Sequence, residues 1–340
     1  MGDLLRLTRT ELRRLRWRRA VLLLVAAAIV IPGLVWATSV WSTRPYSDAE
    51  IQRAREQALS QPGFERDVAR CERHPHRYGA DSAADCEEQM VTSWSGLYRQ
   101  RLSVAREVRG NGPGVVVTVA VLMLLAGATF AGADWASGSM SNQLLFDPRR
   151  TAVWVAKAVA VGLGATVVAL VSQLLYWAGI YLVAAQRGID PPAALRDDVA
   201  WLIARGSFVV ALAAVGGFAL TMLFRSTVAT LGLLFAVAVA GTFAVAVLPL
   251  GGNNERYMVH ANVNAVVSGQ HVYWREPPEE CFDRRTGGPV RLDGESARAF
   301  DERCSGRQVL SVWGGLGYLA VPTLLGLGLS IGSFRRRDVP

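Results

Sequence analysis

At 340 residues, 51% of them hydrophobic and with a mean hydropathy of +0.24, the chain is too apolar for a soluble domain of ordinary composition. It contains several runs of about 20 residues without Asp, Glu, Lys or Arg, the length that carries a helix across a bilayer core of roughly 30 Å. The net charge of +8 sits largely in short segments beside those runs, which marks membrane topology and excludes a soluble basic domain built for nucleic acid.

Residues 1–19 place Leu4, Leu5, Leu12 and Leu15 near helical spacing among Arg6, Arg9, Arg13, Arg14, Arg16, Arg18 and Arg19. That pattern predicts an amphipathic helix lying on the cytoplasmic membrane face. A first transmembrane helix over 20–41 follows, with Pro32 and Gly33 as a kink and Trp36 and Trp41 as interface anchors. The run is too long for a signal peptide and ends at no small-residue cleavage site, so no cleavage is expected.

Residues 42–112 form a hydrophilic insert, expected to be a small extracytoplasmic helical hairpin. Ser47 followed by Glu50 reads as a capping box, and Gln61, Pro62 and Gly63 end that helix. A second helix is expected from Ala84 to Arg109, stopped by Gly110, Asn111, Gly112 and Pro113. Over 113–250 four further spans can be drawn: Gly114 to Ala133, Ala158 to Ala184, Gly206 to Phe224, and Val228 to Leu250. A second polar insert covers 251–308, and residues 309–340 hold a sixth span, Val309 to Ile331, with a basic tail at Arg335, Arg336 and Arg337. The fold class is therefore an all-α integral membrane protein of about six transmembrane helices, with two extracytoplasmic inserts.

Four short basic segments fall on one side of an even-span arrangement: the N-terminus, Arg149 and Arg150 with Lys157, Arg225, and the tail. The positive-inside rule makes that side cytoplasmic and places both termini there, in a multi-pass protein of the cell membrane. The four cysteines, Cys71, Cys86, Cys281 and Cys304, all land in the two inserts on the opposite, oxidising side. They allow three pairings, of which Cys71–Cys86 with Cys281–Cys304 closes the shorter loops and is preferred. A zinc site of Cys71, His74, His76 and Cys86 is the alternative, but its spacing matches no standard ligand pattern, so no metal is expected.

The most informative stretch joins the second and third spans. Asp134 closes one span, Gly138 and Ser139 break the chain, and Met140, Leu144 and Leu145 are read as one side of a short amphipathic segment. Pro148 ends it, Arg149 and Arg150 follow, and the only lysine, Lys157, stands at the next span's entrance. In this respect the chain resembles the ABC type-2 exporter permeases. Members of that family carry an acidic residue, a Gly-Thr-hydrophobic step, a Leu-Leu pair, a Pro-x-Arg turn and a basic residue here, and Asp134 stands for the usual Glu and Ser139 for the usual Thr. The resemblance extends to the six-span layout and the basic N-terminus. It implies that 134–150 is a coupling loop docking on a separate ATPase subunit, through Asp134, Gly138, Ser139, Met140, Leu144, Leu145, Pro148, Arg149 and Arg150.

No Gly-Lys-Ser/Thr phosphate loop exists in this chain, because Lys157 follows Ala156. An ATP-driven reading thus places ATP and Mg on a partner chain, with no cofactor on this one, and pairs this permease with a second copy or a related permease among membrane lipids. The drawn spans hold no ionisable residue in their middles and the chain shows no nucleophile elbow, so no enzyme activity is expected. Ser172 and Gln173 are the clearest polar feature inside a span, as a stretch of substrate path or an interhelical hydrogen bond. The expectation is an exporter subunit moving an amphipathic drug, peptide or lipid outward. Two alternatives stay open: an ATPase-coupled sensor or assembly protein working through its inserts, and a secondary transporter.

Overall fold

The computed structural model describes residues 2–95, 99–248, 254–275, 277, 279–282, 288, 290, 292 and 296–336. Leu250, the drawn end of the fifth span, and Arg337 of the basic tail lie outside them. In chain order come α1 (Gly2–Trp17), α2 (Arg19–Ser42), α3 (Asp48–Leu59), α4 (Phe64–Arg73), α5 (Cys86–Trp94), α6 (Val104–Arg109) and α7 (Asn111–Ala136). Then follow α8 (Ser139–Phe146), α9 (Arg150–Gln186), α10 (Ala193–Phe224), α11 (Thr227–Val247), α12 (Val259–Ser268), β1 (Gln270–Trp274), α13 (Ala297–Cys304), β2 (Arg307–Ser311) and α14 (Val312–Arg336). The chain forms two compact units, one of Met1–Val35 with Val104–Pro340, the other Trp36–Ser103.

Among the described residues, six helical stretches are long and apolar enough to cross a membrane: Arg19–Ser42, Val104–Ala136, Arg150–Gln186, Ala193–Phe224, Thr227–Val247 and Val312–Arg336. Several outrun the drawn spans. α9 starts at Arg150 rather than Ala158, and α10 at Ala193 rather than Gly206. A span drawn by hydropathy stops at Lys157 or Arg205, but backbone hydrogen bonding continues through a charged residue that finds a partner or a wet edge. Lys157, expected at the span's entrance, lies inside the longer α9 and is fully buried.

The larger unit is organised by the crossing of α7 and α10. A Cβ at Gly127 would overlap the Ala214 carbonyl, and one at Gly217 would overlap that of Leu124, so the two backbones touch where neither carries a side chain. Phe130 and Phe218 fill the space beside this contact with no exposed surface, and Trp154 of α9 tilts against Phe218 at 5.5 Å. α11 is different: Thr230 is its one buried residue, and Val, Leu and Phe face outward all round it. A helix apolar on every side suits hydrocarbon rather than water.

The smaller compact unit ends at Ser103, and Val104 onward belongs to the larger one. The helix expected over Ala84 to Arg109 is two helices, α5 and α6. α5 closes on Ser95, whose N–H and hydroxyl both bond the Val91 carbonyl. α6 does stop at Arg109, but helix resumes at Asn111 with Pro113 in the first turn, where its missing N–H costs nothing.

The fold is not purely helical. β1 and β2 pair antiparallel, with His271 opposite Leu310 and Tyr273 opposite Gln308. Val309 to Ser311, drawn as the opening of the sixth span, lie in β2, and α14 begins at Val312. Tyr273 and Leu310 turn inward onto Ala261 and Ala265 of α12, and this small apolar cluster stabilises the pair.

In the smaller unit the capping box forms: Ser47 Oγ accepts from the Glu50 N–H at 3.3 Å, and Glu50 Oε2 from the Ser47 N–H at 2.9 Å. The core gathers Ala58, Phe64, Met90 and Val91 around the Cys71–Cys86 disulfide, with Trp94 edge-on to Phe64 at 6.0 Å. The second disulfide joins Cys281 to Cys304, with 5.7 Å between Cα atoms.

Candidate functional site

At one end of the larger unit α1, α7, α8 and α9 converge. α7 runs out at Ala136, and Gly138 at φ +68 turns the chain into α8 in a conformation that disfavours any Cβ. Pro148 ends α8 by forcing the residue before it out of the helical region, and Asp147 is extended. The Asp147 carboxylate accepts from the Arg149 N–H at 3.1 Å and from Arg149 Nε at 3.0 Å, which closes the turn into α9. The Arg149 guanidinium holds that carboxyl below the usual carboxylate range.

Between these helices lies a buried charge cluster. Lys157 Nζ donates to Asp134 Oδ2 at 2.6 Å and to Glu11 Oε2 at 2.9 Å, and all three side chains are at most 1% exposed. Asp134 also accepts from Ser139 Oγ at 2.9 Å, from Arg14 at 3.5 Å and from Arg18. Gln143 Nε2 of α8 donates to Glu11 Oε1 at 2.7 Å, while Gln143 Oε1 accepts from Arg14 at 3.1 Å. Arg18 and Lys157 flank the Phe130 ring, 5.2 and 5.3 Å from its centroid. Three cations against two carboxylates leave one positive charge, near the half-exposed arginines.

Each ion removed from water here costs several kcal/mol, and only dense mutual hydrogen bonding offsets it. The cluster therefore ties four helices into one mechanical piece. Both carboxylates accept on each of their oxygens.

The sequence-derived site residues divide sharply around it. Asp134, in the last turn of α7, and Met140 of α8 are fully buried, and Ser139 at the root of α8 bonds inward to Asp134. Met140, Leu144 and Leu145 do not share one side: Met140 points into the core, Leu144 is half-buried, and Leu145 is 80% exposed. Pro148 and Arg149 are exposed and Arg150 is half-buried at the α9 entrance. Ser172 donates to the Ala28 carbonyl at 2.8 Å and Gln173 to Ser207 at 3.1 Å, both buried, which makes them interhelical bonds. Cys71 and Cys86 are consumed by their disulfide and leave no thiolate for the zinc alternative.

Sequence reading missed Glu11, Arg14, Arg18, Phe130, Gln143 and Phe146. Phe146, 91% exposed at the tip of α8, is the largest apolar side chain offered there. A trace of the cluster was legible: Glu11 is a lone carboxylate amid arginines, and the chain's single lysine stands where its narrow ammonium fits between two carboxylates.

Six apolar helices in this arrangement define a multi-pass helical membrane protein. No family model, curated protein or solved structure matches the chain.

Proposed function

We propose that this chain is the membrane-spanning subunit of an ATP-driven ABC exporter, with α8 docking on a separate ATP-hydrolysing chain. The observation that carries the reading is the contrast within α8. Its root is clamped by the buried cluster, while its tip offers Leu145 and Phe146 at 80% and 91% exposure. A short helix that is rigid at its base and apolar at its tip suits a partner that must transmit force. Motion imposed on α8 reaches α1, α7 and α9 together through Lys157, Asp134 and Glu11.

The basic segments around α1, Arg149 and Arg150, Arg225, and Arg335 and Arg336 support a cytoplasmic placement of this end. The cysteine-bearing segments then face the exterior, which suits their disulfides. The outward-facing apolar surface of α11 suits lipid or a second permease copy. A second reading, an ATPase-coupled sensor, is favoured by one observation: Trp36–Ser103 is a unit with its own core and staple.

Co-purification tests the proposal. Expressed with its neighbouring genes and extracted in mild detergent, the chain should bring down a stoichiometric subunit with vanadate-sensitive ATPase activity. Joint Leu145→Ala and Phe146→Ala substitution should cut that recovery by about tenfold or more while leaving the chain folded. A chain that purifies alone, or an unaltered yield of partner with the double variant, would overturn it. Transport in vesicles lacking ATP would favour a secondary transporter instead.

A further inference from the structure

Away from the charge cluster, the larger unit holds a polar cavity of about 850 Å³, bounded by α6, α10, α12 and the two strands. That volume lies in the range of small-molecule sites. Three guanidiniums from three different elements line it: Arg109 of α6, Arg205 of α10 and Arg307 of β2. Among the described residues none of the three has a carboxylate within ion-pair distance, although Asp198 lines the same cavity. Among the described lining residues, three positive charges stand against one negative, an excess of two. In the buried charge cluster, by contrast, Arg14 and Arg18 are answered by Asp134.

The wall is built to hold this arrangement open. Arg205 lies over the Trp201 ring one turn earlier on α10, 5.2 Å from its centroid. Its Nη1 is seated against Gly269, where a Cβ would come within 2.7 Å, and Gly269 itself stands at φ +91. Any side chain at that position would therefore strain the backbone and displace the guanidinium. The neighbouring polar groups are already committed to one another. His271 bonds Asn264 at 3.0 Å and Glu255 at 3.1 Å, and Ser268 donates to Asn264 at 2.8 Å. Among the described residues, the arginine set is what remains without a carboxylate partner.

We infer that this cavity binds a phosphate-bearing ligand through Arg109, Arg205 and Arg307. A guanidinium fork matches the geometry of phosphate oxygens, and two surplus positive charges match a phosphomonoester, which carries about two negative charges near neutral pH. The inference does not depend on the exporter reading, since the cavity and its charges are the same whatever chain docks on α8. The phosphate belongs either to a soluble metabolite or to a lipid headgroup, and the two sources are separable.

The test uses the full chain purified in detergent. Glycerol phosphate is titrated calorimetrically in one arm, and phosphatidic acid against phosphatidylcholine in mixed micelles in the other. Saturable binding of glycerol phosphate identifies a soluble ligand; binding of phosphatidic acid alone identifies a headgroup. In either case Arg205→Gln and, separately, Arg307→Gln should weaken binding by about tenfold or more, the loss expected for one charge-assisted hydrogen bond. Arg298→Gln, an exposed arginine on α13, should leave it nearly unchanged. Binding in neither arm, or binding that both pocket variants retain while unfolding at the wild-type temperature, would overturn the inference.

Discussion

The α1–α7–α8–α9 corner and the Trp36–Ser103 unit both hold helices together with ion pairs, but in opposite media. In the corner the pair Lys157–Asp134 has no exposed side-chain surface. In the smaller unit Arg55–Glu87 is about half exposed, at 51% and 47%, and Arg99–Glu50 stands at 18% and 27%. Exposed pairs contribute between nothing and about 1 kcal/mol, because water already solvates both partners. Buried pairs are a different object: neither member is tolerable without the other. The corner is therefore specified by charge, whereas the smaller unit is specified by an apolar core and a covalent staple, with its ion pairs as trim.

The sharpest way to break that contrast is Lys157→Met. It strands Asp134 and Glu11 in a dry site and should cost roughly 3–5 kcal/mol of stability, read by unfolding of the detergent-solubilised chain. Adding Glu11→Gln removes one of the stranded charges and should recover a large part of that loss, since Arg18 still answers Asp134. No recovery in the double variant would mean that the cluster acts by packing and not by charge. The counterpart in the smaller unit is Cys71→Ser with Cys86→Ser. Opening a loop with a sequence separation of 15 should cost that unit about 3 kcal/mol and leave the corner's helices protected from hydrogen exchange. A loss of the same size produced by neutralising Arg55 would erase the distinction drawn between the two regions.

The same contrast explains what could be read from the sequence. The six apolar runs were visible because a bilayer demands length and hydropathy, both one-dimensional properties. The capping box at Ser47 and Glu50 was visible because its partners lie three residues apart. The break at Gly138 and the turn at Pro148 were legible for the same local reason. The cluster was not, since Glu11 meets Lys157 across 146 positions and Gln143 across 132. Local patterning also misassigned Leu145 to the face of Met140, because only the fixed root of α8 determines which side is inward. The strand β2 was absorbed into a span because Val309 and Leu310 are apolar. What makes them a strand is the distant β1, a non-local partner that hydropathy does not register.

The finest prediction concerns acid. Glu50 joins the capping box to Arg99, whose side chain donates to Glu50 Oε1 at 3.0 Å. That hydrogen bond, with the Ser47 N–H, lowers the Glu50 carboxyl from 4.5 to about 2 and raises the Arg99 guanidinium above its ordinary value. A carboxylate with a depressed folded pKa stabilises fully above its unfolded value. Between pH 4.5 and about 2 the unfolded chain binds the extra proton, so stability falls as the pH drops through that window. Because the pair is solvent-screened, the loss should be small and confined to α3 and its contacts. Amide exchange of α3 in the wild type should therefore lose protection across this window more steeply than in Glu50→Gln, which cannot titrate. Comparing the two at each pH cancels the intrinsic acid dependence of exchange. Parallel curves would show that the exposed pair is inert and that the core and disulfide alone hold the unit; a divergence as large as the Lys157→Met effect would show that exposure is a poor guide to where charge matters in this chain.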